Sequence, residues 1–338
     1  TAGPQAELKI GVLAALSGQY ASAGEGYKNG ALLAADLYQK EHPNAKIQMI
    51  VEDDGFTVQK GLSGFKKLTE LDKVDAIIGL STPVVDGIHT DIQKAGLPYM
   101  QFGLQSSGLA NDNIFQVSPM PATLIIDFTK YFNAANSYKK LAVVYENTSY
   151  DLEFYENFKK TYVGDYEGMV IANKQDTVSV GTKIAKGSYD AVFFMTSPEQ
   201  GALTVKQIGT LSKKHPPYLF DPQLQTGFAD YKRILGGTDQ LEGAQFVWVK
   251  TDQAKADAFK AAFKEKYNKE PESLADFGFD AFNTLMSARD EGATDWKTNI
   301  QKTDTVGASG EIKFDQNNVR IQGISINTIK NGEIVVVK

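Results

Sequence analysis

The sequence predicts an α/β protein made of two Rossmann-like lobes, each a parallel sheet flanked by helices. Three observations predict it. The chain has 338 residues, more than the ~100–200 of a typical domain. Short apolar runs alternate with amphipathic stretches along most of its length, the pattern of βαβ units. The order of these segments also repeats, once before Met120 and once after it.

Leu8 to Ala14 reads as the first strand, and strand-like runs follow at Ile47 to Val51, Ala76 to Gly79 and Pro98 to Phe102. Between them, Ala31, Leu32, Ala35 and Tyr38 share one helical face, as do Val58, Leu62, Phe65 and Leu68. In the second series Leu124, Phe128, Tyr131 and Phe132 mark a helix, and Leu141 to Tyr145 a strand. Phe154, Tyr155, Phe158 and Tyr162 mark the next helix, before strands at Met169 to Ala172 and Ala191 to Met195. Two echoes link the series. Val74-Asp75-Ala76-Ile77-Ile78 parallels Tyr189-Asp190-Ala191-Val192-Phe193, and Lys9-Ile10-Gly11-Val12-Leu13 parallels Lys140-Leu141-Ala142-Val143-Val144.

After Phe246-Val247-Trp248-Val249 the pattern turns helical, with Phe259, Ala262, Phe263 and Tyr267 on one stripe and Phe277, Ala281 and Leu285 on the next. Strand-like pieces at Ile321 to Ile329 and Ile334 to Val337 close the chain, joined by a turn at Asn331-Gly332. The late helices have no sheet of their own, so they must pack on an earlier lobe. The expected domains are therefore discontinuous, with the chain crossing between lobes more than once.

Composition excludes several classes. A net charge of −6 lacks the clustered basic surface that nucleic acid requires. The pairs Lys66-Lys67, Lys139-Lys140 and Lys213-Lys214 have Asp and Glu nearby and read as solvated helix ends rather than an anion site. No apolar run approaches the ~18–20 residues of a membrane-spanning helix. With no cysteine, disulfides, thiolate metal sites and a Cys nucleophile are excluded. The opening Thr1-Ala2-Gly3-Pro4-Gln5 reads as a flexible lead-in, and a targeting segment is expected to have been removed ahead of it.

Enzyme motifs fail in turn. Gly24-Glu25-Gly26-Tyr27-Lys28-Asn29-Gly30 has one residue too many, and starts too far past the strand, for a dinucleotide fingerprint. There is no phosphate loop, and Gly79-Leu80-Ser81-Thr82-Pro83 breaks the nucleophile-elbow pattern at its last position. His42, His89 and His215 lack zinc-ligand spacing. Glu52-Asp53-Asp54 reads as a turn and capping element before a cation site. Ser22-Ala23-Gly24-Glu25 matches a capping box, and Thr82 is the expected cap of a helix with Pro83 at its first position. No cofactor, metal or catalytic group is expected.

Gly11-Val12-Leu13-Ala14-Ala15-Leu16-Ser17-Gly18-Gln19-Tyr20-Ala21, with Gly24 and Gly30-Ala31, resembles the opening of type I periplasmic solute-binding proteins of the Leu/Ile/Val-binding family. Glu52-Asp53-Asp54, Ala95-Gly96-Leu97-Pro98, Tyr145-Glu146-Asn147-Thr148-Ser149-Tyr150, Leu241-Glu242-Gly243 and Phe277-Gly278-Phe279-Asp280-Ala281 match in order over nearly the whole chain. The resemblance implies two lobes, 1–120 with 250–327 and 121–249 with 328–338, joined by a three-crossover hinge near Met120, Val249 and Asn327 and closing on a solute in the cleft. It implies ligand-binding residues at Ser81 and Thr82 after the third strand, and at Gly103 and Gln105 after the fourth. There a hydroxyl and backbone groups would hold an amino acid carboxylate. On the second lobe it implies Tyr150, the loop with Ser197, and Asp221 and Gln223. Phe102 and Phe277 are candidates either for packing on the solute or for the core.

The family's acidic partner of the ligand ammonium falls on Gln223, with Asp221 as a substitute. A buried ammonium without a counter-charge costs several kcal/mol, against the ~−8 kcal/mol of micromolar binding. A bulky residue over the pocket aligns with Ala23, and a Thr with Gln105. The implied partners are a small solute and the membrane permease of an ABC importer, with no nucleic acid, and the chain is expected to be monomeric. It is expected in the periplasm or another extracytoplasmic space, a lipid-anchored form included. Three readings follow: a transport protein for an aliphatic amino acid, the same clamp for an aromatic or aliphatic carboxylate, or a receptor's sensory domain.

Overall fold

The computed structural model describes residues 7–18, 20–103, 113–119, 121–136, 138–212, 214–290 and 296–337. Its chain opens with β1 (Leu8–Ala14), α1 (Ala21–Glu41), β2 (Ile47–Asp53), α2 (Val58–Lys66), β3 (Ala76–Gly79), α3 (Thr82–Gly87), α4 (His89–Ala95), β4 (Tyr99–Gln101) and β5 (Ile114–Pro119). Next come α5 (Pro121–Asn136), β6 (Lys140–Glu146), α6 (Ser149–Thr161), β7 (Asp165–Ile171), α7 (Asp176–Lys186), β8 (Ala191–Met195), α8 (Pro198–Leu211) and β9 (Tyr218–Phe220). Two short helices, α9 (Gln223–Thr226) and α10 (Phe228–Leu235), precede β10 (Gln245–Val249). The remainder is α11 (Gln253–Tyr267), α12 (Ala275–Asp290), α13 (Trp296–Gln301), β11 (Asp304–Gly307), β12 (Gly310–Lys313), β13 (Val319–Arg320), β14 (Ile324–Lys330) and β15 (Glu333–Val336).

These elements divide into two units, one of residues 1–120 and 250–323, the other of 121–249 and 324–338. The third passage of the chain falls after Gly323 rather than near Asn327, because β14 already pairs with β10 from Ile324 onward.

Unit 1 holds a six-stranded parallel sheet in the order β13-β5-β4-β3-β1-β2. β3 is buried at all four positions, as expected of a strand covered on both faces. On one side Leu13, Phe65, Leu68, Ile77, Val84 and Tyr99 share a core. On the other, α12 lies against α1 so closely that glycines are required. A Cβ on Gly30 would stand 1.7 Å from the Ala275 carbonyl oxygen, and one on Gly278 would stand 1.9 Å from that of Tyr27. Alanine raises helix propensity over glycine by ~1 kcal/mol, yet here the obstacle is backbone and cannot rotate away. Gly30→Ala is therefore expected to destabilise by at least ~1–3 kcal/mol, read as a lower urea midpoint. A neutral or raised midpoint would mean the helices can separate without loss.

Unit 2 holds a seven-stranded sheet in the order β15-β14-β10-β9-β8-β6-β7, parallel from β10 to β7. β14 and β15 run antiparallel. The turn between them is the expected one: Asn331 and Gly332 both have positive φ, 53° and 78°, which matches the right-handed twist of a hairpin. The echoes between the two halves also acquire a physical meaning. Asp75 accepts the Lys9 N–H at 2.8 Å, and Asp190 accepts those of Lys139 and Lys140 at 2.9 Å. In each unit an aspartate entering the third strand clasps the start of the first.

Two helix starts differ from expectation. α1 begins at Ala21 with Tyr20 in the cap position and no side-chain cap, because Gly18, at φ 82°, turns the chain early and its carbonyl receives the Ala21 N–H. Ser22 is thus inside the helix, and Glu25 pairs with Lys28 instead of closing a capping box. At α3, Ser81 holds the cap position and Thr82 is already helical.

Candidate functional site

In open α/β sheets, ligands bind outside the carboxyl ends of strands where the order of connection reverses. In unit 1 that point lies between β1 and β3, and in unit 2 between β6 and β8. The expected residues follow the carboxyl ends of β3 and β4 in unit 1 and of β6, β8 and β9 in unit 2, apart from Gln105, which lies outside the described residues.

In unit 1, Ser81 is 1% exposed and donates its hydroxyl to Asp54 Oδ1 at 2.9 Å. The same carboxylate oxygen accepts the Phe56 N–H at 2.7 Å. Burial pushes the Asp54 carboxyl up from its ordinary value, against these two hydrogen bonds. Asp53 behaves oppositely. Burial works against its charge, but Ser17, the N–H groups of Gly55 and Leu16, and Lys60 prevail and hold it at about 2. Glu52 pairs with Lys67 at 2.5 Å. The acidic triplet therefore brackets the loops after β1, β2 and β3, as a turn element does, while Thr57 caps α2. Thr82 opens α3, and Gly103 is buried with its N–H on the Leu80 carbonyl at 2.8 Å. Phe277 is 1% exposed and meets Phe102 edge-on at 5.0 Å, which gives Phe277 a core role.

Unit 2 gathers a denser set. Glu146 ends β6, and its Oε1 accepts both the N–H and the hydroxyl of Ser197 at 2.6 Å. Asp221 directly follows β9 and is 1% exposed. Gln223 opens α9, and its Nε2 lies 2.6 Å from Asp151 Oδ1 and 3.1 Å from Asp221 Oδ2. Asp151, 3% exposed, receives the Thr148 hydroxyl at 2.5 Å, and Thr148 caps α6. Burial pushes the Asp151 carboxyl up to about 7, with Glu146 adding repulsion and Thr148 and Gln223 opposing. Asp221 is raised well above its ordinary value by burial and then by Asp151. The Tyr150 phenol, half-buried beside Phe154, is driven up by burial and by Asp221. It stays protonated and remains a donor.

Of the residues expected from the sequence, Ser197, Asp221 and Gln223 lie in this cluster with Tyr150 near it, and Glu146, Asp151 and Thr148 join it without having been expected. The signal was present: all three lie in or next to the Tyr145 to Tyr150 stretch. The side chains that hydrogen-bond Glu146, Asp151 and Asp221 here, those of Ser197, Thr148 and Gln223, are all neutral. Among the described residues, no group of three or more His, Cys, Asp or Glu could hold a metal ion. No helix among them is long and apolar enough to cross a membrane.

Residues 7–323 match the family described as periplasmic binding protein. No match is found among curated proteins. LivJ, a branched-chain amino acid transporter substrate-binding protein from Streptococcus pneumoniae solved with isoleucine, is 23% identical. Its TM-score is 0.84, over 98% of this chain and 100% of that one. A leucine-binding protein, LivK from Thermotoga maritima, is 20% identical with a TM-score of 0.81, over 98% of each chain. An ABC transporter solute-binding protein from R. palustris, in complex with benzoate, is also 20% identical. Its TM-score is 0.81, over 98% of this chain and 96% of that one. At these identities the solved structures establish the fold, and the family match spans nearly the whole sequence. The chain belongs to the periplasmic binding protein family, with the type I fold of parallel-sheet lobes flanked by helices.

Proposed function

We propose that this protein is the extracytoplasmic solute-binding component of an ABC importer and that its solute is an aliphatic amino acid. The buried carboxylates of unit 2 carry the choice of solute. Asp151 and Asp221 lie within 3.1 Å of one amide nitrogen and are almost fully buried, with Glu146 adding to their repulsion. Carboxylates buried without a cation are costly, and an ammonium would relieve that cost while replacing one neutral amide donor. In this reading Gln223, at the position where the family has an acid, cedes the counter-charge to its two aspartate neighbours. Unit 1 then takes the solute's carboxylate through the loops after β3 and β4, at Ser81, Thr82, Gly103 and Gln105. Tyr150 and Ser197 complete the unit 2 side. A carboxylate without an amine, such as benzoate, would leave the acidic cluster uncompensated, so this second solute class is disfavoured.

Mass spectrometry of solute released by denaturing the purified protein tests this directly, with an aliphatic amino acid as the expected result. In parallel, L-leucine or L-isoleucine at 100 times its Kd should add ~2.7 kcal/mol of stability, read as a rise in melting temperature. Release of an amine-free carboxylate, or stabilisation by benzoate alone, would end the amino acid reading.

A further inference from the structure

The chain passes between its two units three times, between residues 120 and 121, 249 and 250, and 323 and 324. On the unit 1 side, the run 318–323 bonds to both of the other passages. Toward the first, the Asn318 carbonyl accepts the Gln116 N–H at 2.9 Å, and Arg320 Nη1 donates to the Val117 carbonyl at 3.1 Å. Toward the second, the Gly323 carbonyl accepts the Lys250 N–H at 2.8 Å, and the ladder runs on with Val249 opposite Ile324.

Two buried side chains fasten this band to the β11–β12 turn. Gln322, 5% exposed, donates its amide nitrogen to the Lys250 carbonyl at 3.0 Å and to the Ser309 carbonyl at 2.6 Å. A flipped amide would set its oxygen against both carbonyls, so the two acceptors fix its orientation. Arg320 Nη1 donates to the Ser309 hydroxyl oxygen at 2.8 Å. Gly310 leaves room for the fastening. Its φ is 105°, and a Cβ on it would stand 2.2 Å from the Lys250 oxygen and 2.3 Å from Gln322 Nε2.

We propose that the Gln322 amide is a hinge-positioning group, which makes the three passages leave unit 1 as one hydrogen-bonded band. Passages that bend separately allow twisting and sliding of one unit against the other as well as closure. A band bonded side to side resists all but one bending motion. Without the amide the empty protein samples more orientations, and apparent affinity falls with the fraction competent to bind. Losing hydrogen bonds of ordinary strength changes that fraction roughly three- to tenfold. The effect on affinity rests on the solute-binding reading above, whereas the effect on the empty protein does not.

The chain has no cysteine, so Leu71→Cys in unit 1 and Val163→Cys in unit 2, at side chains 76% and 82% exposed, each take one spin label. Pulsed electron resonance then gives the distribution of distances between labels in the empty protein. The comparison is between the wild-type background, Gln322→Leu and Gln322→Met, the last closer in shape should Leu fold poorly. Ile92→Val, in the core on the other face of the unit 1 sheet, controls for lost stability. Unlabelled proteins are titrated with L-leucine and L-isoleucine. The expected result is a wider distribution in the Gln322 variants alone, with affinity lowered roughly three- to tenfold. An unchanged distribution in a folded Gln322 variant overturns the proposal, as does a wider one with full affinity. Equal widening in Ile92→Val, or failure of both Gln322 variants to fold, assigns the amide to the stability of unit 1 and overturns it too. If wild type binds neither amino acid, the amino acid reading is what fails, and the distribution alone decides the role of Gln322.

Discussion

Affinity for L-leucine is expected to fall about tenfold for each pH unit below 7, and Asp151→Asn is expected to flatten that dependence or shift it to lower pH. The cause is the raised carboxyl of Asp151, at about 7. Below that value the carboxyl carries a proton that an ammonium must displace, so each pH unit multiplies the proton's competition by ten. Asp221 is raised as well and sits beside Asp151, so the two titrate as a coupled pair. Removing one charge lowers the other's affinity for protons. The empty protein should show the linked effect on stability. Between the ordinary aspartate value of 3.8 and about 7, the folded chain holds a proton that the unfolded chain has lost. Stability from this group is fully present below 3.8 and declines as pH rises through about 7. Calorimetric titration from pH 5 to 8, with urea unfolding of the empty protein over the same range, measures both. Affinity that stays level across this range would remove the cluster from the site.

Much of the architecture was legible because apolar periodicity reports burial directly. β3 and β8 are buried at every position, and their runs stood out. β5 did not, since Gln116 and Ser118 interrupt it although they are 1% and 5% exposed. β9 has only three residues, too few to show a period. Helix starts failed for another reason. The capping-box letters at Ser22 to Glu25 were sound, but a left-handed Gly18 settled where the helix begins, and pattern counting does not register such a turn. In the candidate site, the unit 2 positions came from resemblance. The charges that give them chemistry were overlooked because Glu146 and Asp151 are ordinary letters until three strand ends bring them together.

Asp280→Ala is expected to cost unit 1 ~3–5 kcal/mol, more than any surface change nearby. The sequence noticed Asp280 only as one letter of Phe277 to Ala281 and assigned it no task. In the structure it is 2% exposed and accepts the N–H groups of Ala308 at 2.8 Å and Ser309 at 2.7 Å, together with the Ser309 hydroxyl. Its carboxylate thus pins the β11–β12 turn onto α12. Arg320 carries the network onward, donating to the Ser309 hydroxyl oxygen at 2.8 Å, to the Val117 carbonyl at 3.1 Å and to that of Glu311 at 2.6 Å. Truncating Asp280 leaves two buried N–H groups without an acceptor and takes from the buried Arg320 guanidinium one of its nearby negative charges, with Asp276 and Glu311 remaining. Asp280→Asn keeps the shape but presents one accepting oxygen and an NH₂ that opposes the remaining donor, so its loss should fall between wild type and Ala. Urea unfolding of the three proteins gives that order. A loss in Asp280→Ala below ~1 kcal/mol, the scale of one ordinary hydrogen bond, would mean the turn is held by its packing and not by the carboxylate.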